Sequence, residues 1–181
     1  MRKVTRKQLF SCCYNSCMDT TLEERIGEAL RENGLRLAVA ESCTGGLIGH
    51  RITNVPGSST YYMGSITAYA YEAKVRLMNV KWETLEAHGA VSDETVAEMA
   101  LGVRRALAAD IGVAVSGIAG PTGGTAEKPV GLVQVGLSSI KGTWTAHEVF
   151  KGNRNKVKEK AAEFALSYLL DYLEGKFDAG D

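Results

Sequence analysis

The sequence predicts an α/β fold: one three-layer α/β/α sandwich around a mixed, mainly parallel sheet, in a single domain. Three observations carry that expectation. Short apolar runs, Leu35 to Ala40 and Ile111 to Val115, are too brief for helices, and each empties into a glycine-containing turn. Between them lie segments whose apolar residues recur at helical spacing, as Val96, Met99, Ala100, Val103 and Leu107 do. Near the end, Gly131 to Leu137 and Thr143 to Phe150 flank Ile140-Lys141-Gly142 as a hairpin would, adding antiparallel strands to the parallel set. Strands alternating with helices indicate a layered α/β domain.

Residues 1–20 read as an extension outside the fold, 21–174 as the domain and 175–181 as a polar tail. Thr20 or Thr21 caps a first helix from Leu22 to Glu32, which has an acidic opening turn and stops at Asn33-Gly34. The strand Leu35 to Ala40 follows, then a turn, then helical character from Leu47 to Ile52. Val55-Pro56-Gly57-Ser58-Ser59 is a turn, and Tyr61 to Tyr69, rich in aromatic and β-branched residues, reads as a strand. Tyr71 to Met78 and Trp82 to His88 read as short helices. Ser92 caps a longer one, with Asp93 and Glu94 against its positive end. The strand Ile111 to Val115 ends in a loop, Ser116 to Gly124, and a helix from about Asn155 to Leu173 closes the domain.

At 181 residues the chain suits one compact domain. Twenty-one basic residues balance twenty-one acidic ones, which gives no broad electrostatic footprint for nucleic acid or an anionic membrane. Apolar runs are broken well before the ~20 residues of a spanning helix. Three of the four cysteines, Cys12, Cys13 and Cys17, crowd the N-terminus without a histidine or second cysteine pair to complete a zinc spacing. The leader's apolar stretch is short and interrupted, a poor secretory signal, so the expectation is a cytoplasmic protein without metal, nucleic-acid partner or membrane attachment.

Chemistry concentrates at Ser42. A serine just past a strand end, followed by Thr44-Gly45-Gly46 and a helix, sits where unpaired N–H groups point outward. Those groups can bind phosphate or stabilise an oxyanion; alternatively Ser42 or Thr44 simply caps the helix. A serine nucleophile needs a base. His50, His88 and His147 lie in no glycine-rich turn and beside no obvious orienting acid. Lys74, at the start of a helix after Tyr69-Ala70-Tyr71, is the other option, provided its pKa falls by burial or nearby positive charge; otherwise it is a solvated lysine. Cys43 is a rival nucleophile if a helix N-terminus lowers its pKa. The loop Ser116 to Gly124 would lie at the carboxyl edge of the sheet as a binding loop or a flexible connection. Arg154 either holds a phosphate bidentately or belongs to a solvated basic cluster with Lys151, Lys156 and Lys158.

Several separated segments together resemble the CinA C-terminal-domain family. Ala40-Glu41-Ser42-Cys43-Thr44-Gly45-Gly46-Leu47-Ile48 opens the match, and Val55-Pro56-Gly57-Ser58-Ser59, Ala68-Tyr69 with Glu72-Ala73-Lys74, and Gly89-Ala90-Val91-Ser92 continue it. Gly117-Ile118-Ala119-Gly120-Pro121, Glu127-Lys128-Pro129-Val130-Gly131 and the Phe150 to Arg154 segment complete it, over roughly Leu22 to Leu173. The resemblance implies a nicotinamide-nucleotide amidohydrolase, which converts nicotinamide mononucleotide to nicotinate mononucleotide and ammonia without metal or cofactor. It implies Ser42 as nucleophile, Lys74 as base, Tyr69 in the proton network and Ser116 as a supporting hydroxyl. Thr44, Gly45, Gly46, Gly117, Gly120, Gly123 and Arg154 are then the substrate-binding candidates, and the chain a homo-oligomer. An amidase for a different small amide, or a non-catalytic nucleotide-binding or competence-associated module, is the alternative. Three positions depart from the family pattern: Ser116 for threonine, Thr122 for glycine and Tyr71 for asparagine.

Overall fold

A computed structural model describes residues 20–177; the cysteine leader and the last four residues of the expected tail lie outside them. Helix α1 (Leu22–Glu32) begins at a reciprocal cap: Thr21 Oγ1 accepts from the Glu24 amide while Glu24 accepts from the Thr21 amide. Strand β1 (Leu37–Glu41) is buried at all five positions. Helix α2 (Leu47–Thr53), a short 3-10 turn (Ser58–Thr60) and strand β2 (Tyr62–Thr67) follow. Helices α3 (Tyr71–Met78), α4 (Trp82–His88) and α5 (Asp93–Ala106) precede β3 (Ile111–Gly117). The hairpin is β4 (Leu132–Ser139) and β5 (Gly142–Val149), closed by Ile140-Lys141, and α6 (Arg154–Leu173) ends the fold.

The five strands lie in the order β2-β1-β3-β4-β5. β1 pairs in parallel with β2 and with β3, whereas β4 runs antiparallel to β3 and to β5. On one face α1, α2 and α6 cover Leu37, Val39, Val113, Val115, Val133 and Val135. On the other, α3, α4 and α5 cover Ala38, Ala40 and Ala114. This second face carries alanine and glycine so that α5 can approach closely. A β-carbon at Gly112 would lie 2.1 Å from the Ala100 carbonyl oxygen, and one at Gly136 would lie 2.4 Å from that of Val96.

Four boundaries near the strand ends that face α2, α3 and α6 differ from the sequence expectation, each for a local reason. β1 extends to Glu41 because that buried carboxylate finds donors (below). β2 stops at Thr67, where the chain turns its next carbonyls toward Lys74. β3 runs on through Ser116 and Gly117, which pair with Gln134 and Val133, so Ser116 sits on a strand rather than in the loop. Arg154, expected just before the last helix, is its first residue, because Asn153 accepts from the Lys156 amide as the cap. No helix among the described residues is long and apolar enough to cross a membrane.

Candidate active site

Directly after β1 the chain must leave the sheet and enter α2. The Ser42 amide still donates to Val115 on β3, at 3.1 Å, so the residue is fixed at the strand end. Two glycines at positive φ, Gly45 at 65° and Gly46 at 100°, then reverse the backbone. The first turn of α2 has no side-chain cap of its own. Glu41 supplies one from inside the sheet: its fully buried carboxylate accepts from the amides of Gly46, Ile48 and Gly49 at 2.9, 3.1 and 2.9 Å. It also accepts from Thr44 Oγ1 at 2.7 Å and Ser65 Oγ at 3.2 Å. Gly49 leaves room for the hydroxyls around Glu41, since a β-carbon would lie 2.6 Å from Tyr62 Oη and 2.7 Å from Ser65 Oγ and would displace one of them.

This overturns one expectation. The helix N–H groups assigned to an incoming oxyanion or phosphate are already paired with Glu41, and Thr44 and Gly46 are spent on the same carboxylate. Gly45 donates to the Ser42 carbonyl. None of the three lines the cavity beside Ser42. Neither Ser42 nor Thr44 caps α2 in the ordinary sense; Glu41 does. The signal was legible as a glutamate ending an apolar strand, five residues before the glycine at the cap position of a helix.

Lys74 reaches Ser42 from α3. Its side chain is fully buried, with Nζ 3.1 Å from Ser42 Oγ, 2.7 Å from the Ala68 carbonyl oxygen and 3.3 Å from that of Tyr69. Burial pulls the ammonium down to about 8. A neutral amine has two hydrogens and one lone pair. The two carbonyls can take the hydrogens, which leaves the lone pair for the Ser42 hydroxyl. The arrangement can therefore move a proton between Oγ and Nζ. Cys43, one residue on, moves the opposite way: burial pushes its thiol up to about 11, contrary to the expected lowering by a helix N-terminus. At neutral pH it is a thiol, not a thiolate.

The three histidines stand apart from this cavity. His88 does have an acid beside it, contrary to expectation, because Glu94 lies 3.6 Å away on the surface.

Ser42, Lys74, Tyr69 and Ser116 line one cavity of about 250 Å³, with Gly117, Gly120, Gly123 and Arg154. Ser116 is buried at its floor. Tyr69 is two-thirds exposed at the mouth, where its hydroxyl accepts from Arg154 at 2.9 Å. Arg154 also donates to the Gly120 carbonyl at 2.8 Å, so its guanidinium, although exposed, ties the glycine loop to Tyr69. The far wall is the Ala90-Val91 segment. Lys128 pins it, donating to the His88 and Val91 carbonyls at 2.6 and 2.7 Å, and the Ala90 amide donates to Tyr71 Oη. Tyr71 thus has a structural partner in the Ala90 amide.

A family model described as the CinA C-terminal domain matches residues 19–173. The chain belongs to the CinA C-terminal-domain family. A Halothermothrix orenii relative, of the competence-damage inducible kind by name, is 52% identical over 160 residues, covering 88% of this chain and 39% of its own length. A CinA-like protein of Kosmotoga olearia is 49% identical over 151 residues, covering 83% and 37%. This CinA domain thus spans under two fifths of the length of these relatives. Among solved structures, a competence or damage-inducible protein from Enterobacter asburiae superposes with a TM-score of 0.81 at 38% identity, over 84% of this chain and 96% of that one. A CinA superfamily protein from Enterobacter cloacae gives 0.82 at 32% identity, over 96% and 98%.

Proposed function

We propose that this CinA domain is a nicotinamide-nucleotide amidohydrolase that hydrolyses the carboxamide of nicotinamide mononucleotide. The observation that carries this reading is the buried Lys74 amine held 3.1 Å from Ser42 Oγ, with a proton affinity brought near neutrality. At pH 7 roughly a tenth of Lys74 is neutral, enough to serve as a base. Ser42 Oγ attacks the amide carbon as its proton passes to Lys74 Nζ. The tetrahedral oxyanion needs donors. With α2 amides committed to Glu41, the cavity-lining donors at hand are the backbone amide of Cys43 and the hydroxyl of Ser116. Lys74 then gives its proton to the leaving nitrogen, the C–N bond breaks and ammonia departs. Water attacks the resulting ester with its proton going to Lys74, and Ser42 leaves with a proton regained.

The substrate's pyridinium withdraws electrons from the carboxamide and makes attack easier. Tyr69 and Arg154 close the mouth over the bound ring. An ammonia-coupled assay on nicotinamide mononucleotide tests the proposal. Activity is expected without added metal and to fall by at least about a thousandfold in Ser42→Ala and in Lys74→Ala. Undiminished turnover in either variant rules out the pair. Comparison with nicotinamide and its riboside tests the substrate: equal rates on all three would make this an amidase for a different small amide.

A further inference from the structure

The strands that deliver Ser42 and Ser116 to one edge of the sheet begin at the other. There Leu37 pairs with Ile111, and the β4–β5 turn lies alongside. At this opposite edge a second cavity, of about 480 Å³, opens between the start of β3, the last turn of α5, the hairpin turn and the end of α6. Leu35, Ile111 and Leu173 give it an apolar wall, while Arg104, Asp110 and Lys141 bring charge to it. The chemistry at Ser42 uses none of these residues.

Arg104 is the telling one. It stands in the last turn of α5, and its stem is held against β3, since a β-carbon at Gly112 would lie 2.7 Å from that of Arg104. Two arginines among the described residues are half-buried, Arg51 and Arg104. Arg51 is satisfied twice, by Glu23 and by Glu163. Arg104 forms no ion pair among the described residues, and its Nε is buried with no hydrogen-bond partner there. The one acid lining the cavity does not serve it. Asp110 accepts instead from the Arg36 amide at 2.8 Å and from Arg36 Nε at 3.3 Å. A buried N–H without an acceptor is destabilising, and native folds keep few of them.

We propose that this cavity binds a small organic carboxylate, whose oxygens accept from Arg104 while its hydrocarbon part rests on Leu35, Ile111 and Leu173. A guanidinium offers a planar fork that matches the two oxygens of a carboxylate. Lys141, on the hairpin turn, adds a second positive charge. The apolar wall selects an anion that carries hydrocarbon over a bare inorganic one. The site stands whether or not Ser42 turns over an amide.

Titration with hexanoate, followed by the backbone amide resonances of Ala109–Ile111 and Ile140–Lys141, tests the site, with hexan-1-ol as the uncharged control. In the wild type, hexanoate at millimolar concentration should shift these resonances and the alcohol should not. Arg104→Met keeps the stem and removes the donors. It should weaken hexanoate binding at least about tenfold. Because it also removes an unsatisfied buried group, it should not lower Tm by more than about 5 °C. No shift at these amides, an equal response to the alcohol, or undiminished binding by Arg104→Met overturns the site. So does a larger fall in Tm, which would make the arginine part of the fold rather than of a site.

Discussion

Two buried charged residues, Glu41 and Lys74, define the chemistry at residue scale, and each is legible in its own titration or stability. Lys74 is held in the fold at about 8 but titrates near 10.5 when unfolded, so between those values the unfolded chain binds the extra proton. Stability of the wild type relative to Lys74→Met should therefore rise with pH across that window, by of order 3 kcal/mol, and be flat below it. Chemical denaturation of both proteins from pH 7 to 10.5 reads this directly. On the proposed mechanism, kcat/KM climbs about tenfold per pH unit below 8 and levels above it; a flat profile from pH 6 to 9 would refute Lys74 as base. Glu41 accepts five hydrogen bonds in a fully buried place. Glu41→Gln keeps the shape but turns an NH₂ toward amide donors, and should cost about 2–4 kcal/mol. For a domain of this size that is a fall in Tm of roughly 10 °C, visible by calorimetry.

Helices and strands were largely readable because their signals are local. The caps at Thr21 and Ser92 each sit where a short polar side chain meets a helix start, whereas the Asn153 cap was missed and the last helix expected one residue late. Ser92→Ala removes the acceptor of the Thr95 amide and should cost α5 about 1 kcal/mol in thermal or denaturant unfolding. What escaped the sequence was any partner from another element. Glu41 acts as a cap across the turn, Lys128 holds a segment nearly 40 positions away, and Ser116 belongs to a strand only because β4 pairs with it. The lysine at position 74 was a candidate on residue type, but its burial depends on how α3 turns back so that Nζ meets the Ala68 and Tyr69 carbonyls, which no periodicity encodes. The packing of α5 is equally non-local. Gly112→Ala would drive a methyl group into the Ala100 carbonyl and should cost more than about 3 kcal/mol, leaving little soluble protein.

For the whole molecule, strand order explains why distant residues meet. β2, β1 and β3 are adjacent and parallel, so their carboxyl ends line one edge. From that edge come Ser42 after β1, Ala68 to Lys74 after β2, and Ser116 to Gly123 at and after β3. The antiparallel β4 starts there and β5 returns there, which delivers the start of α6 and Arg154 to the same rim. The mixed sheet expected from alternating strands and a late hairpin was thus enough to place the site at one edge. The strand order itself was not readable, because pairing partners are chosen by packing between layers rather than by any one segment.

The close seat of α5 also sets a clock. Over Gly112 and Gly136, helix backbone rests on strand backbone with no layer of side chains between them. Solvent deuterium can reach those amides only when the entire domain opens. The N–H groups of Val113, Val115 and Val135 should therefore be the last to exchange, all at the rate of global unfolding. Amides of the glycine loop between Ile118 and Val130 should exchange far sooner, and the spread between the two sets measures how much of the fold stays closed while a ligand comes and goes.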